Sequence, residues 1–156
     1  MLRLNKPILN IVQNKRSQMF SMFSTKNSNS NTITKPIVQS MTVETLHGII
    51  KADELYKYQL VDVREEGELQ LAQIKTNNNN SNNIHLPLSQ SGTWTQQIIR
   101  GELLDIDKPV LCLCHHGVRS YQMATFLIQN EFNHVYNIEG GISAYALEMD
   151  STVGIY

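Results

Sequence analysis

Cys114 closes the apolar run Leu111-Cys112-Leu113 and is followed by His115-His116-Gly117-Val118-Arg119-Ser120. A thiol, a glycine and a guanidinium this close together are the parts of a site where a sulfur nucleophile meets an anion. Residues 110–113, entered from Pro109, read as a buried strand. From Ser120 onward Tyr121, Ala124, Phe126, Leu127 and Ile128 fall mostly at helical spacing, so a helix follows, with Ser120 suited to its N-cap or first turn. A cysteine between strand and helix sits among backbone N–H groups without intrahelical partners, at the positive end of the helix dipole. Cysteines so placed have pKa values lowered from about 8.5 to roughly 3.5–7.5 and act as nucleophiles near neutral pH. Arg119 adds a permanent cation whose planar fork suits an oxyanion, and Gly117 lets the loop curl so that amides converge on sulfur.

The flanking segments supply a scaffold. Residues 42–53 read as a helix capped by Thr42, with Val43, Leu46, Ile49 and Ile50 on one face. Residues 60–63 alternate as a half-buried strand, and Asp62 and the following Arg64 fall on the same side. Their expected role is an ion pair that anchors the loop from beneath. Glu65, Glu66 and Glu68 read as an acidic turn and helix start rather than a metal site, with a short helix over 69–74. A brief strand over 84–88 ends at Pro87. A helix over 94–104 turns Trp94, Ile98, Ile99 and Leu103 inward, with Trp94 as core. Residues 135–138 form the last strand, and Gly140-Gly141 turn into a helix over 142–147. Strands alternating with helices predict an α/β fold: an open parallel sheet of about five short strands, flanked by helices on both faces. In such sheets ligands bind beyond the carboxyl ends of the strands, where Cys114 falls.

The loop Cys114-His115-His116-Gly117-Val118-Arg119-Ser120 resembles the active-site loop of single-domain rhodaneses, which are sulfurtransferases. Leu60-Val61-Asp62-Val63-Arg64-Glu65 resembles that family's early strand with its Asp-x-Arg signature. Asn83-Ile84-His85-Leu86-Pro87-Leu88 resembles its second strand and proline turn, and residues 132–145 its last strand and double-glycine turn. Residues 147–156 are similar to the ending of plastid and bacterial members whose loop carries paired histidines. One departure stands out: where the family shows a His-Ile-Pro-Gly turn, this chain has Gln73-Ile74-Lys75-Thr76 and an Asn-rich run over 77–83, read as a solvated loop insertion.

The resemblance implies a rhodanese-like domain over 41–156 and transfer of sulfane sulfur through a Cys114 persulfide. His115, His116, Gly117, Val118, Arg119 and Ser120 then line the substrate, and Asp62 and Arg64 support the loop. The implied donor is a small sulfur-containing anion such as thiosulfate, or a protein persulfide; the acceptor is cyanide or a thiol. No cofactor and no metal is implied. Cys112, two residues back on the strand, is expected in the core. His115 and His116, being adjacent, are expected to point in different directions. His47, His85 and His134 read as structural or surface residues.

Two rivals stand beside this reading. Phosphatases and arsenate reductases use a similar Cys-to-Arg cradle, but with five intervening residues where this chain has four, and the tighter loop favours a single sulfur atom over a tetrahedral phosphate. A sulfur-relay or protein-interaction module of the same family is the second, and the sequence leaves it open, as it leaves oligomeric state open.

Composition bounds the rest. The 156 residues are 41% hydrophobic and 17% charged, values of one globular domain. A net charge of −1 conceals an asymmetry: residues 1–43 hold six basic residues and no acid, while residues 44–156 hold seven basic and fourteen acidic. An acidic body argues against nucleic acid as a partner. Two cysteines one residue apart cannot build a disulfide framework, which suits a reducing compartment. No apolar run approaches the roughly 20 residues of a membrane span. The basic, Ser- and Asn-rich stretch over 1–40 reads as an organelle transit peptide or a disordered leader. A mitochondrion is the first expectation, with plastid and cytoplasm as alternatives.

Overall fold

In the computed structural model, described here for residues 37–75 and 83–156, five strands make one parallel sheet in the order β1-β5-β4-β2-β3. The strands are β1 (Gln39–Met41), β2 (Gln59–Asp62), β3 (Asn83–His85), β4 (Val110–Leu113) and β5 (Val135–Ile138). Between them run helices α1 (Val43–Lys51), α2 (Glu66–Leu71), α3 (Ser91–Ile99), α4 (Val118–Gln129) and α5 (Gly141–Glu148).

Period-two alternation assigns each strand residue to one of two cores. Leu60, Leu111, Leu113 and Ile138 pack with Leu46 and Ile50 of α1 and Ile142 and Tyr145 of α5. Val61, Val110, Cys112 and Cys114 pack with Trp94 and Ile98 of α3 and Met123 and Leu127 of α4. With helices on both faces, β2 is buried on both, at 2% exposure for Leu60 and 0% for Val61, so the expected half-buried alternation is corrected.

Other boundaries shift for identifiable reasons. β1 pairs Gln39 with Tyr136 and Ser40 with Asn137, so the fold begins inside the stretch assigned to a leader. A three-residue strand with polar ends carries no periodic signal to reveal it. The rest of the stretch expected to be a leader, residues 1–36, lies outside the described residues, as do 76–82 of the Asn-rich run, while Asn83 belongs to β3. The helix expected over 69–74 starts earlier, because Glu65 and Glu68 form a reciprocal capping box. It ends by Ala72, which is extended, and Gln73 N–H then bonds the carbonyl of Val153 at 3.0 Å. Helix α3 stops at Ile99, just before Gly101 at φ +71°; beyond it Leu104 is buried in the core and Leu103 packs half-buried against it. The strand expected over 84–88 is shortened to end at His85. Thr42 caps α1 as expected, accepting from Thr45 N–H at 3.2 Å.

The chain leaves β2 for β3 on one side and β4 for β5 on the other. The carboxyl ends of β2 and β4 therefore flank the point where strand order reverses, the place where such sheets open a crevice. Asp62 ends β2, and Cys114 follows β4 directly.

Candidate functional site

Gly117 decides how the loop after Cys114 turns. Its φ is +91°, left-handed backbone that glycine adopts without strain, and it forms the N-cap of α4. The helix thus begins at Val118, two residues before the expected start, and Ser120 lies in its first turn. From this position Gly117 N–H donates to Cys114 Sγ at 3.1 Å, and Ser120 Oγ stands 3.2 Å from the same sulfur. The loop carbonyls turn the other way: Ile142 N–H donates to the Cys114 carbonyl at 2.9 Å and Ser143 N–H to that of His115 at 3.1 Å. The first turn of α5 therefore absorbs the acceptors of the loop and leaves donors on the sulfur side.

Of the amides expected to converge on sulfur, that of Gly117 makes the bond; Ser120 contributes its hydroxyl. Ser120 Oγ also lies 2.6 Å from Asn137 Oδ1 on β5, with all three residues buried. One hydroxyl proton serves one acceptor at a time. With a thiol, S–H donates to Ser120 and Ser120 to Asn137; with a thiolate, the hydroxyl proton turns to sulfur. Cys114 itself is 1% exposed, screened from bulk solvent. Cys112 is fully buried and its burial pushes the thiol upward, so it is an inert core residue.

Arg119 does not stand free at the rim. Its two terminal nitrogens bind both oxygens of Glu68, Nη1 to Oε2 at 2.6 Å and Nη2 to Oε1 at 2.5 Å. Glu68 also accepts from Glu65 N–H at 2.8 Å and from the Tyr156 hydroxyl at 3.0 Å. The Arg119 bonds, outweighing partial burial, pull the Glu68 carboxyl down to about 2. The same bonds raise Arg119, and the nearby Cys114 sulfur adds to that rise.

Beneath lies a second pair. Arg64 is 1% exposed and donates from Nε and Nη2 to the Asp62 carboxylate, at 2.9 Å to Oδ1 and 2.7 Å to Oδ2. Its Nη1 reaches the Ala72 carbonyl at 2.9 Å and the Tyr156 hydroxyl at 3.3 Å. Arg64 thus ties β2 to the end of α2 and, through Tyr156, to Glu68.

The histidines depart from expectation. His115 and His116 do not diverge: their rings stack at 3.7 Å between centroids, tilted by 23°. The ring of Tyr156 stacks on His115 at 4.1 Å and 17°. Burial, aided by the charge of His116, lowers His115, which favours a neutral imidazole at pH 7. The side chain of Val118 is exposed.

Glu68, Tyr156 and Asn137 are site residues that the sequence reading misses. The Glu65 and Glu68 spacing was readable as a capping box, and Asn137 is a polar residue in an otherwise apolar strand. Nothing local marks Tyr156. Among the described residues no group of three or more His, Cys, Asp or Glu is placed to hold a metal ion, and no helix is long and apolar enough to cross a membrane.

Known proteins resemble this chain in sequence and fold. The rhodanese-like domain family matches residues 42–148. A rhodanese-like/PpiC domain-containing protein 12, chloroplastic, from Arabidopsis thaliana is 36% identical over 121 residues, 76% of this chain and 38% of that protein. The chain thus spans well under half of that relative. The thiosulfate sulfurtransferase GlpE of Vibrio cholerae is 33% identical over 86 residues, 55% of this chain and 70% of GlpE. A crystal structure of a rhodanese-related protein from Thermoplasma volcanium superposes with a TM-score of 0.54 at 32% identity, covering 71% of this chain and 93% of that one.

Proposed function

The chain belongs to the rhodanese-like domain family, and we propose that it is a sulfurtransferase working through a persulfide on Cys114. The observation that carries the reading is the convergence of Gly117 N–H and Ser120 Oγ on Cys114 Sγ, with the loop carbonyls turned onto α5. Donors placed before reaction stabilise a sulfur anion with no more reorganisation than the turn of one hydroxyl proton.

The transfer has two steps. Cys114 thiolate attacks the sulfane sulfur of the donor; the new S–S bond forms as the donor's bond to that sulfur breaks. With thiosulfate the leaving group is sulfite, and Cys114–S–S⁻ remains. An acceptor then attacks the outer sulfur, and the Cys114 thiolate leaves with the electron pair. Cyanide yields thiocyanate; a thiol yields a new persulfide. Gly117 and Ser120 donate to Cys114 Sγ when it is ionised, and the burial of Cys114 screens the reacting sulfur from solvent. The likeness to a thiosulfate sulfurtransferase supports the donor class.

Thiocyanate formation from thiosulfate and cyanide tests the proposal. Activity in wild type and its loss in Cys114→Ser is the expected result. Aryl phosphate turnover exceeding thiocyanate formation would reassign the site to phosphoryl chemistry. We place the protein in an organelle, directed by the basic stretch upstream of β1; the chloroplastic relative supports a plastid over a mitochondrion. Imaging of a fusion that carries residues 1–36 decides between them.

A further inference from the structure

The cation at the mouth of the Cys114 loop is already taken. Arg119 faces Glu68 fork to fork, at 2.6 and 2.5 Å, the arrangement a guanidinium would otherwise offer to a bound oxyanion. Glu68 is not a loose surface carboxylate that a ligand displaces at little cost. The capping-box amide of Glu65 holds one oxygen and the Tyr156 hydroxyl the other, and Tyr156 is itself bound by buried Arg64 and stacked on His115. Arg64 is in turn matched by Asp62. Counting paired charges, Arg119 cancels Glu68 and Arg64 cancels Asp62, so an ionised Cys114 leaves the site with one uncompensated negative charge.

Thiosulfate carries two negative charges and would approach that sulfur with no free fork to receive its sulfonate end. A persulfide on a carrier thiol, R–S–SH, brings its sulfane sulfur with no sulfonate at all. We infer that Glu68 is a specificity-determining residue: by occupying Arg119 it sets the site against doubly charged oxyanion donors and in favour of thiol-borne persulfides. The inference rests on the sulfurtransferase reading and deepens it. The preferred charging step is attack of the Cys114 thiolate on the terminal sulfur of R–S–SH; the donor's S–S bond breaks, R–S⁻ leaves with the electron pair, and Cys114–S–SH forms. No external oxidant or reductant enters.

The test compares full-length wild type with Glu68→Gln, using thiosulfate and cysteine persulfide as alternative donors and cyanide as acceptor. Freeing the fork is expected to lower the thiosulfate KM and to raise the thiosulfate-to-persulfide ratio of kcat/KM by about tenfold, with the change in KM rather than kcat. A second variant, Glu68→Gln with Arg119→Met, removes the pair as a unit and keeps the site's net charge; its donor ratio is expected to stay within about twofold of wild type. This double variant carries the test if the single one fails to fold. Equal response of both donors in Glu68→Gln, a rise in its thiosulfate KM, or a tenfold drop of thiosulfate relative to persulfide in the double variant overturns the inference alone. Absence of thiocyanate from either donor in wild type overturns the sulfurtransferase reading and the inference together.

Discussion

Gly141 lies directly beneath the backbone of Cys114: a Cβ built on the glycine would stand 2.4 Å from the Cys114 carbonyl oxygen and 2.3 Å from that of His115. Those two carbonyls accept the first amides of α5, so the glycine turn and the reactive loop are one packed unit. Gly141 also holds φ at +61°, which an L side chain rarely adopts.

Gly141→Ala is therefore expected to cost at least about 3 kcal/mol, lowering Tm by about 10 °C, because backbone cannot move aside as a side chain can. Gly48→Ala is the internal comparison. It sits exposed inside α1 with nothing within 4 Å of the added methyl, and is expected to stabilise by about 0.5–1 kcal/mol. Thermal unfolding of both variants checks the contrast. Equal melting temperatures would show that the loop and turn are not packed as described.

Glu68 makes acid stability depend on Arg119. Its carboxyl is held at about 2, below its ordinary 4.5 in the unfolded chain. A depressed carboxyl stabilises the fold above the unfolded value, and that contribution is lost as pH falls from about 4.5 to about 2. Wild type should exceed Glu68→Gln in stability by on the order of 2 kcal/mol near pH 6, after allowance for partial exposure of the pair. The gap should narrow from about pH 4.5 and close below about pH 2. Denaturant midpoints measured across that range give the curve, and a gap independent of pH would mean that the pair contributes no charge-linked stability.

Ser120→Ala removes one of the two donors at the sulfur. A hydrogen bond to a charged group contributes about 1.5–3 kcal/mol, so alkylation of Cys114 by iodoacetamide at pH 7 should slow by about tenfold or more. Cys112 is fully buried and gives no competing signal on the folded chain. An unchanged rate would remove Ser120 from the support of the thiolate.

How much of this was legible beforehand follows from where each signal lives. The loop was readable because strand, glycine, arginine and helix follow one another within it, and the parallel sheet because β2, β4 and β5 are apolar runs separated by helical periods. β1 was hidden: three residues with two exposed polar side chains, Gln39 and Ser40, are a strand only because β5 offers an edge. The stack of Tyr156 on His115 and the bidentate Glu68 and Arg119 pair join residues 41 and 51 positions apart, as 156 − 115 and 119 − 68. Sequence spacing carries no record of such contacts. In the sequence Arg119 is a free cation for that reason: its type declares a charge, and only the fold shows which carboxylate holds it.

The central claim is that Cys114 carries sulfur as a persulfide held by Gly117 and Ser120. Intact-mass analysis of wild type and Cys114→Ser, after incubation with cysteine persulfide or thiosulfate and removal of the donor, tests it most directly. The account predicts a gain of one sulfur atom in wild type, more complete from the persulfide, and none in Cys114→Ser. A wild-type mass unchanged by either donor, or an equal gain in Cys114→Ser, would contradict it.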